Sequence, residues 1–118
     1  MKYALLMYAD PGHTREMTEA QLTEVLAKHE ALRDELIPSG ELIGGAGLAL
    51  PEETVLLRLD GAAPSRGPLA GDALEHLTAY YEVDCASQER AVEIASRLLD
   101  HHVTSVEVRF IHDSAPKP

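Results

Sequence analysis

The sequence is poor in sulfur, aromatic and basic residues, and each shortage excludes a class of protein. It has no tryptophan and a single cysteine, Cys85, so an internal disulfide is excluded and a reducing, cytoplasmic location is expected. Only 10 lysines and arginines stand against 20 acidic residues, which gives a net charge of -10. A chain this acidic lacks the basic surface that nucleic acids and anionic membranes require, so neither is expected as a partner.

Long hydrophobic runs are missing as well. No apolar stretch approaches the length needed to span a bilayer, and the opening MKYALLMYADPGH lacks the length and cleavage pattern of a signal peptide. What is present is an apolar fraction of 45%, enough for an aliphatic core. The length favours one domain over residues 1–113, and residues 114–118 are predicted to be a disordered tail.

The chain is organised around residues 18–47, which predict a long amphipathic helix, a stop and a glycine-rich strand. Thr18 and Gln21 have the spacing of a capping box at the start of the helix. Pro38 and Gly40 end it. Apolar residues recur every three or four positions and define one face: Leu22, Val25, Leu26, Leu32, Leu36 and Ile37.

His29 lies at the edge of this apolar face, four residues after Val25 and three before Leu32. A histidine in that position needs a partner for at least one ring nitrogen. Two interpretations stay open at this point. His29 is either a core-edge residue bonded to the backbone or a proton-transfer group that faces a pocket.

With the glycine-rich strand included, the chain predicts five strands, and it predicts one more helix. The strands are expected at residues 2–8, 41–50, 54–59, 77–85 and 104–111, with a hairpin between the second and third. The second helix begins after the N-cap Ser87 and ends at residues 100–102. Residues 60–73 form a long loop, either functional or a solvated connector. Cys85 ends the core face of the fourth strand and is expected to be buried and inert.

Three glycines interrupt the second strand, at positions 44, 45 and 47. They are not a phosphate-binding loop, because no helix follows and the lysine and hydroxyl residue of that motif are missing. A bulge or the close approach of another group explains them better. A ligand and a partner subunit are equally open as the approaching group.

The predicted order β-α-β-β-β-α-β is typical of a ferredoxin-like α+β fold, with an antiparallel sheet and two helices on one face. The first strand is apolar on both sides, so its second side also needs a cover. That bare face would carry Tyr80, Glu82, Glu107 and Arg109. Two copies that stack sheet on sheet would cover it, so a homodimer is expected.

Three segments of the chain resemble YCII-related proteins of the DGPF type. They are MKYALLMYAD, LRDELIPSGELIGGAGL, and SRGPLAGDALEHLTAYYEVDCASQERAVEIASRL followed by SVEVRF. The resemblance spans nearly the whole chain and implies a ferredoxin-like domain that dimerises into an α+β barrel. The sequence departs from the family at its signature, which reads Arg66-Gly67-Pro68-Leu69 here. The turn residues are kept, but the acid and the aromatic are not.

The resemblance also implies an active-site His-Asp pair. The family histidine lies eleven residues before the glycine that ends the first helix, a spacing that His29 and Gly40 match. The family aspartate lies near the end of the second helix, where Asp100 is the matching residue. A carboxylate on one ring nitrogen would fix the tautomer and raise the basicity of the other.

Two functions from different classes are therefore predicted. The first is a small enzyme that performs general acid/base chemistry, such as an elimination, on a small molecule, with His29 as base and Asp100 as its orienting partner. Arg66, Tyr80 or Arg109 would hold an anionic group of the ligand. The second is a non-catalytic dimeric module for ligand binding or regulation, which the resemblance links to sigma-factor systems. No cofactor is implied, and the histidine spacing gives no metal site. The sequence specifies neither substrate nor reaction.

Overall fold

One antiparallel sheet of four long strands supports the helices in the computed structural model, which describes residues 1–61 and 63–115. The elements in chain order are β1 (Lys2–Ala9), α1 (Pro11–Arg15), α2 (Glu19–Leu36), β2 (Leu42–Gly47), β3 (Val55–Leu56), β4 (Ser65–Arg66), β5 (His76–Asp84), α3 (Gln88–Ser96) and β6 (Val103–Phe110), with a 3-10 turn at Pro51–Glu53. The sheet has the order β2-β5-β1-β6, so β2 and β6 are its edges. The α+β class predicted from the sequence is confirmed.

The start of α2 is fixed by its first turn. The Gln21 backbone N–H donates to the Thr18 hydroxyl at 3.1 Å, and the Thr18 N–H donates to the Gln21 side chain at 2.9 Å. The predicted capping box is therefore confirmed. The apolar face is narrower than predicted: Val25, Leu32 and Leu36 are buried, whereas Leu22, Leu26 and Ile37 are exposed.

The core lies between one face of the sheet and the helices. Alternate residues of β1 are buried there, as strand geometry requires: Tyr3, Leu5, Met7 and Ala9. The first three of these residues form one cluster with Leu32 and Leu36 of α2, Ala91, Ile94 and Ala95 of α3, and Tyr81 and Val83 of β5. The opposite side of β1 is only half-buried, and its Ala4 and Leu6 lie beside charged residues of β5 and β6.

The predicted hairpin between the second and third strands is wrong. The partner of β2 is β5, and the third strand is reduced to two residues that pair with β4 inside the predicted loop. Gly67 closes this small ribbon with an N–H bond to the Thr54 carbonyl at 2.7 Å. Residues 54–59 alternate as a strand would, but no helix or sheet of the described residues packs on their apolar side, and Leu57 and Leu59 are exposed.

Two further boundaries differ from the predictions. The predicted loop at residues 13–17 contains most of α1, which Asp10 caps by accepting the Gly12 N–H at 2.8 Å. The second helix ends at Ser96, so Asp100 lies in the turn that follows it and not in the helix. The predicted tail falls partly on residues 116–118, which lie outside the described residues. None of the described helices is long and apolar enough to cross a membrane.

Candidate functional site

An open pocket of about 400 Å³ lies between α2 and the edge of the sheet. Its polar side chains are those of His29, Arg33 and Tyr81, and it is also bordered by Tyr80, which lies on the opposite face of β5 from Tyr81. The remaining wall is apolar or has no side chain: Met7, Leu26, Leu42, Gly44, Gly45, Ala46, Gly47 and Ala79. An apolar wall with a few convergent polar groups is the usual composition of a small-molecule site.

His29 is held by a tyrosine of the sheet. Its Nδ1 forms a 2.8 Å hydrogen bond with the Tyr81 hydroxyl, and the two ring centroids are 5.7 Å apart. Tyr81 points from β5 towards α2 because it shares the helix-facing side with Val83, two residues on. The first interpretation expected a backbone partner for His29, and the resemblance implied the Asp100 carboxylate. The partner in the structure is a tyrosine hydroxyl instead.

Gly45 makes room for the Tyr81 ring. The two residues are directly opposite each other in the β2-β5 ladder. A Cβ atom at position 45 would lie 2.5 Å from Tyr81 Cδ1 and 2.6 Å from the Tyr80 carbonyl oxygen. The register of the ladder shifts just before it, between Leu42 and Gly44, as expected for a bulge. At Gly45 the approaching group is thus a side chain of the same sheet.

The second ring nitrogen of His29 is available for chemistry. Nε2 makes no hydrogen bond within residues 1–61 and 63–115, and it is not among the buried polar atoms that lack a partner. It is therefore reached from solvent. Burial lowers the pKa of His29, and the positive charges of Lys28 and Arg33 lower it further, against a smaller opposing effect of Asp100. A neutral imidazole is the form that exchanges a proton near neutral pH.

The predicted bond between His29 and Asp100 is not formed. Asp100 Oδ2 accepts a hydrogen bond from the Lys28 ammonium. Its Oδ1 accepts the backbone N–H groups of His102 at 2.7 Å and of Val103 at 2.6 Å. Burial raises the pKa of Asp100, but these bonds outweigh it and keep that pKa below the ordinary value. Asp100 is thus committed to the turn before β6 and not to His29.

A second histidine lies beside this turn. His102 Nε2 forms a 2.8 Å hydrogen bond with the Thr14 hydroxyl of α1, while its Nδ1 is buried without a partner in the described part of the chain. Burial lowers the pKa of His102, against an opposing effect of Asp100. The turn, α1 and α2 are joined here through side chains.

The three residues predicted to hold an anionic ligand group are scattered. Tyr80 lines the pocket, but Arg66 lies in the β3-β4 ribbon and Arg109 lies on the bare face of β6. The cation that reaches the pocket is Arg33, one turn after His29 on α2. Its spacing of four residues from His29 was the available signal, since residues i and i+4 share a helix face.

The remaining candidates are a reactive cysteine and a metal site. Cys85 is a free, buried thiol, so its predicted burial is confirmed. In the part of the chain that the structure describes, no three histidine, cysteine, aspartate or glutamate residues come together as metal ligands would.

Comparison of the sequence with models of known protein families gives no match, and neither does comparison with curated proteins. The resemblance to YCII-related proteins therefore rests on the quoted segments alone.

Proposed function

We propose that this protein is a small enzyme that performs general acid/base chemistry on a small molecule bound beside His29. The observation that carries the proposal is the Nδ1 bond to Tyr81 combined with an open Nε2. One nitrogen is positioned, and the other is left to meet a substrate. Such a residue contributes about 10²–10⁴-fold to a rate.

Tyr81 takes the orienting role that the resemblance implied for Asp100. When His29 Nδ1–H donates to the Tyr81 oxygen, Nε2 carries the lone pair and can accept a proton from the ligand. The imidazolium formed in this way keeps its Nδ1–H bond to Tyr81 and can return the proton from Nε2. The ring stays in the same place throughout, which suits a step that removes a proton and later returns it.

The proposed setting is a homodimeric ferredoxin-like domain of the YCII/DGPF type. The strand order β2-β5-β1-β6, with α2 following the first strand and α3 preceding the last, supports the fold. The half-buried apolar residues on the bare face support a second copy as its cover. A cytoplasmic location stays a prediction that rests on the single cysteine.

The alternative is a non-catalytic dimeric module that binds a ligand or regulates a partner, with a link to sigma-factor systems. Two observations favour it. His29 lacks the carboxylate that would raise its basicity, because Asp100 is bound to Lys28. The family signature is also changed at Arg66 and Leu69.

Exchange of carbon-bound hydrogen for deuterium tests the proposed enzyme directly. The protein is incubated in D₂O with a panel of small 2-oxo acids and lactones, and loss of the C–H signals is followed by proton NMR. The wild type is expected to accelerate exchange for at least one compound, and His29→Gln to slow it about 10²–10⁴-fold. His112→Gln, at an exposed position outside the pocket, is the matched control.

Equal exchange by wild type and His29→Gln would exclude His29 as the acid/base group. Absence of exchange over the whole panel would favour the binding module. Thermal unfolding of both variants shows whether a lost rate reflects a lost fold.

A further inference from the structure

The outer edge of β2, whose residues 44–47 line the pocket, carries backbone groups that bond to no other strand of the described sheet. The Leu48 N–H donates to the Thr78 carbonyl at 2.9 Å, and Ala46 and Gly44 continue this register opposite Tyr80 and Glu82. In an antiparallel pair, alternate residues bond to the neighbouring strand, and the residues between them turn their N–H and C=O groups away.

Gly45 and Gly47 lie between these bonded residues, so their N–H and C=O groups point away from β5. Because β2 is an edge strand, no other strand of the described sheet meets their outward groups. No side chain within residues 1–61 and 63–115 bonds to them either. Both glycines line the pocket, and neither carries a side chain that would cover its amide.

Arg33 adds a positive charge on the facing helix. Although the chain carries 20 acidic residues, the guanidinium of Arg33 forms no ion pair with a carboxylate of the described residues. It acts on Tyr81 instead: burial raises the pKa of the Tyr81 hydroxyl, and Arg33 opposes that rise. Because no carboxylate of residues 1–61 and 63–115 forms an ion pair with it, this cation is available to an anionic ligand.

We propose that this pocket takes a small apolar carboxylate, with the carboxylate bound by Arg33 and the Gly45 and Gly47 amides. This deepens the proposed function and rests on the same pocket. Arginine binds a carboxylate through two parallel N–H bonds, and backbone amides add further donors. The apolar body of the ligand would lie against Met7, Leu26 and Leu42.

A phosphate fits less well, because a dianion needs more positive charge than one arginine supplies in a protein of net charge -10. Placing the carboxylate between α2 and β2 brings its neighbouring carbon atoms towards His29. That is where a proton adjacent to an acyl group would be removed.

Benzoate and its neutral analogue benzamide provide the probes. Each is titrated into ¹⁵N-labelled protein, and the amide signals of Gly45 and Gly47 are followed by NMR. Benzoate is expected to shift both signals saturably and to bind about tenfold more tightly than benzamide, since one charged hydrogen bond is worth that much. Arg33→Met should remove this preference. Arg58→Met, an exposed arginine outside the pocket and an equal change of charge, should keep it.

Equal affinity for the two probes, an unchanged preference in Arg33→Met, or benzoate shifts that avoid both glycines would each overturn the inference. Glycine signals that move with protein concentration instead would assign the edge to a strand of a second copy, which also overturns it. The binding assay requires no turnover. A benzoate preference without proton exchange therefore separates failure of the proposed enzyme from failure of the carboxylate site.

Discussion

Gly45 positions the Tyr81 ring by having no side chain of its own. A methyl group at position 45 would meet the Tyr81 ring at 2.5 Å and the Tyr80 carbonyl oxygen at 2.6 Å. The carbonyl belongs to the ladder and cannot move far, so the ring has to give way. We therefore expect Gly45→Ala to lower the free energy of unfolding by about 1–3 kcal/mol, as overpacking does. It should also break the bond between Tyr81 and His29.

Denaturant unfolding and the ¹⁵N shifts of the His29 ring measure these two effects. Gly44→Ala is the matched control, because a Cβ there meets nothing within 4 Å. A Gly45→Ala protein as stable as the control, with an unchanged His29 spectrum, would show that Tyr81 does not need the space.

His102 makes the stability of the protein depend on pH. Burial lowers the pKa of His102 in the folded chain, so the unfolded chain, with an ordinary value of 6.5, takes up the proton first. Stability is then complete above pH 6.5 and declines as the pH falls below it. We expect the urea concentration at the midpoint of unfolding to be lower at pH 5.5 than at pH 7.5. His102→Gln should make this dependence on pH less steep.

Urea titrations over that range check the expectation, with His112→Gln, at an exposed position, as the control. His29 contributes with the same sign, since burial lowers its pKa too, so some slope remains in His102→Gln. An unchanged slope in this variant would rule out His102 as a source.

The sequence predicted which residues of the site matter better than it predicted their hydrogen-bond partners. His29 was identified because a polar residue interrupts a periodic apolar face. Tyr81 lies in the same alternating set as Cys85, but its contact with His29, 52 residues away in the chain, could not be predicted from either segment. The resemblance paired Asp100 with His29, but Asp100 accepts a hydrogen bond from Lys28 instead, and local sequence does not show which cation a carboxylate contacts.

Helix α3 and the start of β2 are joined by one arginine. Arg90 Nε donates to Glu41 Oε2 at 2.8 Å, and its Nη2 donates to Oε1 at 2.9 Å. These bonds lower the pKa of Glu41 from 4.5 to about 2. Because the folded value is depressed, the stabilisation is complete above pH 4.5 and is lost as the pH falls towards 2.

Arg90→Met is therefore expected to destabilise the protein by about 1–2 kcal/mol at neutral pH, as loss of a two-bond charged pair does. Its stability should also change less than that of the wild type between pH 4.5 and 2. Urea unfolding at several acidic pH values provides both numbers. Arg97→Met is the control, since Arg97 and its partner Glu35 are exposed and such pairs contribute little. Equal losses of stability in the two variants would contradict the conclusion that the bonds between Arg90 and Glu41 stabilise the protein.

The long elements were predictable because their patterns extend over many residues. Helix α2 was marked by its cap and its periodicity, β1 by apolar residues on both of its sides, and β5 by alternation. The β3-β4 ribbon was not, because two paired residues carry no period. The partner of β2 is also 30 or more residues away in the chain, and local sequence does not encode such pairing.

The bare face of the sheet is the surface through which the proposed homodimer would form. Leu6 lies on it, between Tyr80 of β5 and Glu107 of β6. If two copies stack through this face, a charge at position 6 would be buried without a partner, which the dimer cannot tolerate. We expect the wild type to have twice the chain mass of 12.8 kDa and Leu6→Glu to have the single mass.

Sedimentation equilibrium measures these masses directly. Leu22→Glu, an exposed leucine of α2, is the control and should keep the wild-type mass. A wild type that sediments at 12.8 kDa, or a Leu6→Glu protein that does not dissociate, would rule out association through this face.

The open edge of β2 has a consequence for handling the protein. Outward amides and carbonyls at Gly45 and Gly47 are also a template on which a foreign strand can add, and repeated addition is how fibrils grow. The negative charge of each chain opposes this growth, and salt weakens the opposition. Ligand-free protein stored concentrated at high ionic strength is therefore the sample at greatest risk of precipitation, and a carboxylate in the buffer should protect it.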